Sequence, residues 1–129
     1  MTPCASFLIA ALDTAAHDRS QFNSGSPVLD CYLRELVSQD IRRRIAACFV
    51  ALASEQRIAG YYTLATASVP LVGLPDEMRR KLPRYGFVPA ILMGRLAVDA
   101  AFKGQGLGSA LLVNALRRAA SSEIPAAVL

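Results

Sequence analysis

Histidine is almost missing from this chain. The single copy, His17, has Asp18 and Arg19 beside it in a polar stretch and reads as a solvated loop residue. A zinc centre or a Ser-His-Asp hydrolase is thereby disfavoured, and no metal is expected. Three cysteines, Cys4, Cys31 and Cys48, are an odd number without metal-ligand spacing. Cys31 and Cys48 lie in apolar patterns, which suits buried free thiols of a cytosolic protein, so a cytoplasmic location is expected. Tryptophan is absent and aromatics make up only 7%, against a nucleic-acid module built on stacked bases. No apolar run reaches the roughly 18 residues of a membrane span. The apolar start, Met1 to Leu12, has no basic n-region and breaks at Asp13, so it reads as a first strand and not as a signal peptide.

What is present fits one globular domain. The length of 129 residues suits a single core, and 53% hydrophobic against 19% charged residues excludes a disordered chain. The formal charge is +4, with the cations clustered at Arg42 to Arg44, at Arg79, Arg80, Lys81 and Arg84, and at Arg117 and Arg118. Such clusters suit coenzyme phosphates, RNA or an acidic protein segment. The first and last also fall near expected helix ends, where cations are favoured with no partner at all.

The most telling stretch runs from Phe102 through Lys103, Gly104, Gln105, Gly106, Leu107, Gly108 and Ser109 to Leu112. A strand-like segment, Ala90 to Val98, precedes it, and a helix is expected over Gly106 to Ala120. Alternate glycines at a strand-to-helix junction let backbone N–H groups converge on an anion, and the helix N-terminus adds its own free N–H groups and dipole. A P-loop needs a Gly-Lys-Ser/Thr ending, which this chain lacks. The dinucleotide pattern G-x-G-x-x-G/A fails from either Gly104 or Gly106. A glycine-rich turn without a ligand stays open on the loop alone.

Elsewhere, Phe7 to Leu12 reads as a strand. Ser26 and Pro27 start a helix whose apolar stripe is Val28, Leu29, Tyr32, Leu33, Leu36, Val37 and Ile41. Ala46 to Ala53 and Ile58 to Val69 are expected as antiparallel strands about a tight turn. Pro75 to Leu82 is a short helix, Pro83 to Pro89 a loop. In the last helix Leu111, Leu112, Ala115, Leu116 and Ala119 are expected to face the core. Ala126 to Leu129 begins another strand.

The loop Lys103-Gly-Gln-Gly106-Leu-Gly108 resembles the pyrophosphate loop of GNAT N-acetyltransferases, Arg/Gln-x-x-Gly-x-Gly/Ala, with Lys103 replacing the usual Arg or Gln. Phe22 to Leu33, Cys48 to Leu52, Gly60 to Leu64, Lys81 to Tyr85 and Gly94 to Asp99 resemble blocks of the GNAT toxins of type II toxin–antitoxin modules, in that family's order. The resemblance implies an α/β fold of α+β type, a mixed, mostly antiparallel sheet flanked by helices, as one domain over residues 1–129. It implies acetyl-CoA as co-substrate, held by Leu96, Ala97, Val98, Lys103, Gly104, Gln105, Gly106, Leu107, Gly108 and Ser109. The Val98 N–H would polarise the thioester. Arg79, Arg80, Arg84 and Tyr85 would face the acceptor, a primary amine such as that of aminoacyl-tRNA. A ribbon-helix-helix antitoxin and a homodimer are the implied partners.

Family members continue beyond the strand that begins at Ala126, with a helix bearing a tyrosine near the coenzyme sulfur. Nothing in these 129 residues matches that tyrosine. Tyr62 and Tyr85 are the substitute acids, and the expectation is weak transfer, an incomplete fifth strand and association beyond a monomer. The alternative is a protein that binds coenzyme A without turnover or partners a complete homologue.

Overall fold

A computed structural model describes residues 7–54, 57–70, 76–77, 87–121 and 127–128. Five strands form one sheet in sequential order: β1 (Leu8–Ala11), β2 (Ala47–Leu52), β3 (Ile58–Pro70), β4 (Phe87–Val98) and β5 (Ala127–Val128). Neighbours are antiparallel except β4 and β5, which run parallel. The expected mixed, mostly antiparallel sheet is therefore present. β4 begins earlier than the sequence suggested, because Phe87, Val88 and Pro89 pair with Pro70, Val69 and Ser68 and are not loop. The expected helix from Pro75 to Leu82 lies outside the described residues except for Asp76 and Glu77, both helical.

One face of the sheet is covered by α1 (Pro27–Cys31), a π-helical turn (Tyr32–Leu36) and α2 (Val37–Arg42). Ser26 caps α1 as expected, its side chain accepting from the Leu29 N–H, with Pro27 in the first turn. The apolar stripe is only partly right. Tyr32, Leu33 and Val37 are buried against Val50, Ile58, Tyr61 and Ala97, while Val28 is 76% and Leu36 48% exposed. The π turn adds a residue to one turn of helix and rotates the stripe, which a strict 3.6-residue period cannot follow.

The other face is covered by α3 (Leu107–Ala120). Leu107, Leu111 and Ala115 pack with Ala51, Ala59 and Tyr62, and Ala119 is buried too, whereas Leu112 and Leu116 stand 43% and 48% exposed. The buried stripe is thus narrower than expected, a single i, i+4 row. Gly60, Ala51 and Ala59 beneath it are small, so the helix sits close to the sheet. A Cβ on Gly60 would stand 2.9 Å from Leu111 Cδ1 and 3.0 Å from the Ala97 carbonyl.

β4 carries a bulge. Thr63 pairs with Arg95 but Leu64 pairs with Met93, so Gly94 is the extra residue. Strict alternation would put Met93 and Leu96 on opposite faces. The bulge lets Met93, Leu96 and Val98 all join the α3 side. A Cβ at Gly94 would press within 3.2 Å of the buried Thr63 hydroxyl.

Candidate acetyl-coenzyme A site

β5 pairs with β4 only at Ala90 and Ile91. Beyond Ile91 no described residue continues that edge. The Asp99 N–H bonds to the Ala59 carbonyl at 2.8 Å, and the register then places Gly60 opposite Val98 and Tyr62 opposite Leu96. Hydrogen-bonded and non-hydrogen-bonded pairs alternate in an antiparallel ladder. The backbone of Ala97 therefore faces β3, and the N–H and C=O of Leu96 and Val98 face the open edge. Of the three residues expected to hold a pantetheine arm, two present their peptide groups to it.

The chain leaves β4 through a stem that is firmly held. Asp99 is buried, and its carboxylate accepts the N–H of Ala101 and of Asn23, each at 2.9 Å. Arg57 stands 3.7 Å from the same carboxylate, its guanidinium over the Phe102 ring. The Ala100 N–H in turn reaches the Asn23 carbonyl at 2.8 Å. The segment just before α1 is thereby fastened to the end of β4.

After the short 3₁₀ turn Ala100–Phe102 comes the glycine loop. Gly104 and Gly106 have φ of +84° and +77°, the left-handed region that favours glycine, and space lies open where their side chains would be. Gly106 is the N-cap of α3, and no side chain caps that helix. The Ala110 N–H bonds back to the Gly106 carbonyl, so the N–H groups of Leu107, Gly108 and Ser109 precede the helical ladder. They stand at the positive end of the helix dipole, as an anion needs. A Cβ at Gly108 would stand 3.8 Å from Val98 Cγ2. Gln105 is half-buried and Ser109 exposed. Lys103, expected to reach a phosphate, instead donates from Nζ to the Ser24 carbonyl at 2.7 Å.

The described tyrosines are all occupied. Tyr62 is fully buried and donates to Asn114 Oδ1 at 2.6 Å, so it presents no proton to the open edge. Burial raises its pKa, opposed by Arg118. Tyr61 donates to the Leu29 carbonyl, and its pKa is also raised, chiefly by burial. Tyr32 donates to Asp40, with burial and that hydrogen bond pushing its pKa up to about 12. Tyr85, Arg79, Arg80 and Arg84 lie outside the described residues. Cys48 is a buried free thiol whose pKa burial raises to about 12, while Cys31 is half-buried and donates to Glu35. Among the described residues no group of three metal-ligating side chains occurs, and no helix is long and apolar enough to cross a membrane.

An open cleft of about 700 Å³ lies at the far end of α3, lined by Arg44, Phe49, Leu64, Ile91 and Arg118. Over the 14 residues of α3 this is about 20 Å from the glycine loop at 1.5 Å per residue. It is therefore separate from the glycine loop. The sequence had left the two terminal arginine clusters undecided, and here they meet. Arg44 ends α2 with φ +57°, the Ile45 N–H returning to the Asp40 carbonyl at 2.9 Å. Arg118 stacks on Phe49 and donates to Asn114.

The model of the acetyltransferase (GNAT) family matches residues 12–129. A tRNA-acetylating toxin of Mycobacterium tuberculosis is 42% identical over 103 residues, covering 80% of this chain and 60% of that protein. The chain thus spans less than two thirds of that relative's length. A crystal structure of a KacT mutant superposes with a TM-score of 0.84 at 26% identity, covering 95% of this chain and 75% of KacT. AtaT complexed with acetyl-methionyl-tRNAfMet superposes with a TM-score of 0.77 at 28% identity, covering 87% of this chain and 68% of AtaT. Related structures hold acetyl-CoA (TM-score 0.74, 28% identity) or the C-terminus of the antitoxin AtaR (TM-score 0.69, 26% identity).

Proposed function

The chain belongs to the GNAT acetyltransferase family, and from that premise we propose that it transfers the acetyl group of acetyl-CoA to the amine of an aminoacyl-tRNA. One observation carries the cofactor half. An uncapped helix N-terminus with two left-handed glycines follows, after one 3₁₀ turn, a strand whose Leu96 and Val98 peptide groups face away from β3, where no described residue pairs with them. The glycine loop, Gly104 to Ser109, takes the pyrophosphate, and the edge of β4 takes the pantetheine amides as a further strand would.

The reaction follows from that placement. A neutral amine attacks the thioester carbonyl, a C–N bond forms and the C–S bond breaks. The amine gives up one proton and the departing thiolate takes one. The Val98 N–H, turned to the edge, supports the oxyanion as it develops. Fixing the coenzyme at two places makes proximity a large part of the rate. None of the three described tyrosines offers a proton for the thiolate. A thiolate whose conjugate acid has a pKa of about 8.5 leaves tolerably unaided, whereas general acid help typically adds about 10²–10⁴-fold.

The polyanionic acceptor is supported by the arginines at the far end of α3. Arg42, Arg43, Arg44 and Arg117 are all exposed, and none forms a salt bridge within the described residues. Arg44 holds a left-handed conformation that costs a residue with a Cβ roughly 1–2 kcal/mol. By family resemblance, the opposing partner is a ribbon-helix-helix antitoxin and the assembly a homodimer, which light scattering at micromolar concentration reads directly. Calorimetry with acetyl-CoA, followed by mass spectrometry of charged tRNA after incubation, tests the whole reading. Acetyl-CoA binding without any acetylated aminoacyl-tRNA would remove the acceptor half. Absence of binding would remove both.

A further inference from the structure

We propose that Lys103 is a positioning residue: it tethers the segment ahead of α1 to the cofactor loop and is not a ligand of the pyrophosphate. The consequence for the coenzyme rests on the acetyl-CoA reading above. The tether itself rests on geometry alone.

The ammonium of Lys103 has a prepared seat. Nζ lies 2.7 Å from the Ser24 carbonyl. Ser24 is buried and fixed from behind, its N–H and hydroxyl both donating to Asp30 Oδ1 at 2.9 and 2.7 Å. Asp30 is itself buried in α1. The cation and the carboxylate thus grip one residue from two sides, and both bonds involve a charged group. The next residue, Gly25, has φ +92°, and a Cβ there would stand 3.8 Å from Nζ. Its N–H is satisfied by Asn23 Oδ1 at 3.0 Å.

The tether closes a loop of contacts about the stem between β4 and the glycine loop. On the strand side, Asn23 donates to Asp99 and accepts from Ala100. On the loop side, Ser24 accepts from Lys103. Two consecutive residues thereby clamp both ends of the stem, 99–103, that joins the open edge of β4 to the glycine loop. Asp30 lies in α1, which covers one face of the sheet, while α3 covers the other. The Lys103 ammonium is engaged by the segment ahead of α1. Anion recognition then falls to the backbone, and the lysine holds the stem on which both the edge and the loop depend.

Two ligands separate tether from phosphate ligand. Coenzyme A has the pyrophosphate, and pantetheine has the amides and thiol without it. Lys103→Met should weaken both by the same factor, about tenfold for the loss of one charge-assisted hydrogen bond. Lys103→Arg, which keeps a cationic donor, should restore both. Amide exchange at Asn23 and Ser24 should quicken in Lys103→Met and return to the wild-type rate in Lys103→Arg. A tenfold loss for coenzyme A with pantetheine unchanged would make Lys103 a phosphate ligand and overturn the proposal, as would no loss for either. A wild-type protein that binds neither ligand would defeat the cofactor reading instead. In that event the exchange rates still decide the tether, and unchanged exchange at Asn23 and Ser24 in Lys103→Met would refute it.

Discussion

The two ends of α3 are both suited to anions, by opposite means. At its N-terminus the donors are peptide N–H groups, exposed because Gly104 and Gly106 are left-handed and no side chain caps the helix. At its C-terminus the donors are arginine side chains, and the helix dipole there favours cations with or without a partner. Backbone donors are fixed by the fold, so they select shape and lose little entropy on binding. Exposed arginines are flexible and screened, so they supply affinity that falls with salt. One helix thus joins a geometric end to an electrostatic one, which suits the proposed pairing of one small coenzyme with one large polyanion.

The largest expected effect breaks the first end alone. Gly106→Asp places a Cβ at φ +77° and a carboxylate among the N–H groups proposed to hold phosphate. An Asp cap gains only a few tenths of a kcal/mol over glycine and wants extended backbone, so the left-handed strain of roughly 1–2 kcal/mol is not offset. Thermal stability should therefore fall by about 1–2 kcal/mol while coenzyme A affinity falls at least about 100-fold, which is a little under 3 kcal/mol. Calorimetry and a melting curve on one sample check both halves. Wild-type affinity in this variant would mean that the glycine loop is only a turn.

Next comes the stem that aims the first end. Asp99→Ala removes the acceptor of the Asn23 and Ala101 N–H groups, which are part-buried. Water can reach the freed donors in part, so a loss of about 1–2 kcal/mol is expected in denaturant unfolding. Asp99→Asn keeps an acceptor oxygen and should lose less. Equal losses for the two variants would show that hydrogen bonding is not what Asp99 supplies.

Local chemistry explains why the glycine loop and the Ser26 cap were legible in the sequence. Both are contiguous, and each residue type serves its nearest neighbours. The strands around the Ser54–Arg57 turn were legible for the same reason. What was missed is non-local or breaks a period. Asp99 meets Asn23 across 76 residues and Lys103 meets Ser24 across 79, so neither pairing leaves a spacing signal. The loop read alone gives Lys103 only an anion for a partner, whereas Nζ here meets the Ser24 carbonyl. The π turn misplaced Leu36, and a stripe one row wide misplaced Leu112 and Leu116. Gly94 did carry a signal, since a glycine inside a strand run suggests a bulge. Phe87 to Pro89 were read as loop because proline punctuates loops, yet it is tolerated near the beginning of a strand.

The smallest effect sharpens the second end. Arg44 occupies the left-handed position that ends α2, where the Arg44 N–H bonds to the Ile41 carbonyl and Ile45 closes the turn on Asp40. Glycine is the usual residue there, so Arg44→Gly should raise stability by about 0.5–1 kcal/mol despite the added freedom of the unfolded chain. The same change removes one cation from the rim of the far cleft. If that rim meets RNA phosphates, the dependence of log affinity on log salt should become shallower by about 0.9, the share of one phosphate contact. Coenzyme A affinity, set about 20 Å away at the other end of α3, should stay within about twofold, as additivity predicts for distant sites. A filter-binding series across salt concentrations, beside a melting curve, reads both effects. More stable protein with a shallower salt slope would mean that the strain at Arg44 is kept for binding. More stable protein with an unchanged slope would leave the arginines at this end as helix-terminal cations only, and the two ends of α3 would no longer share a purpose.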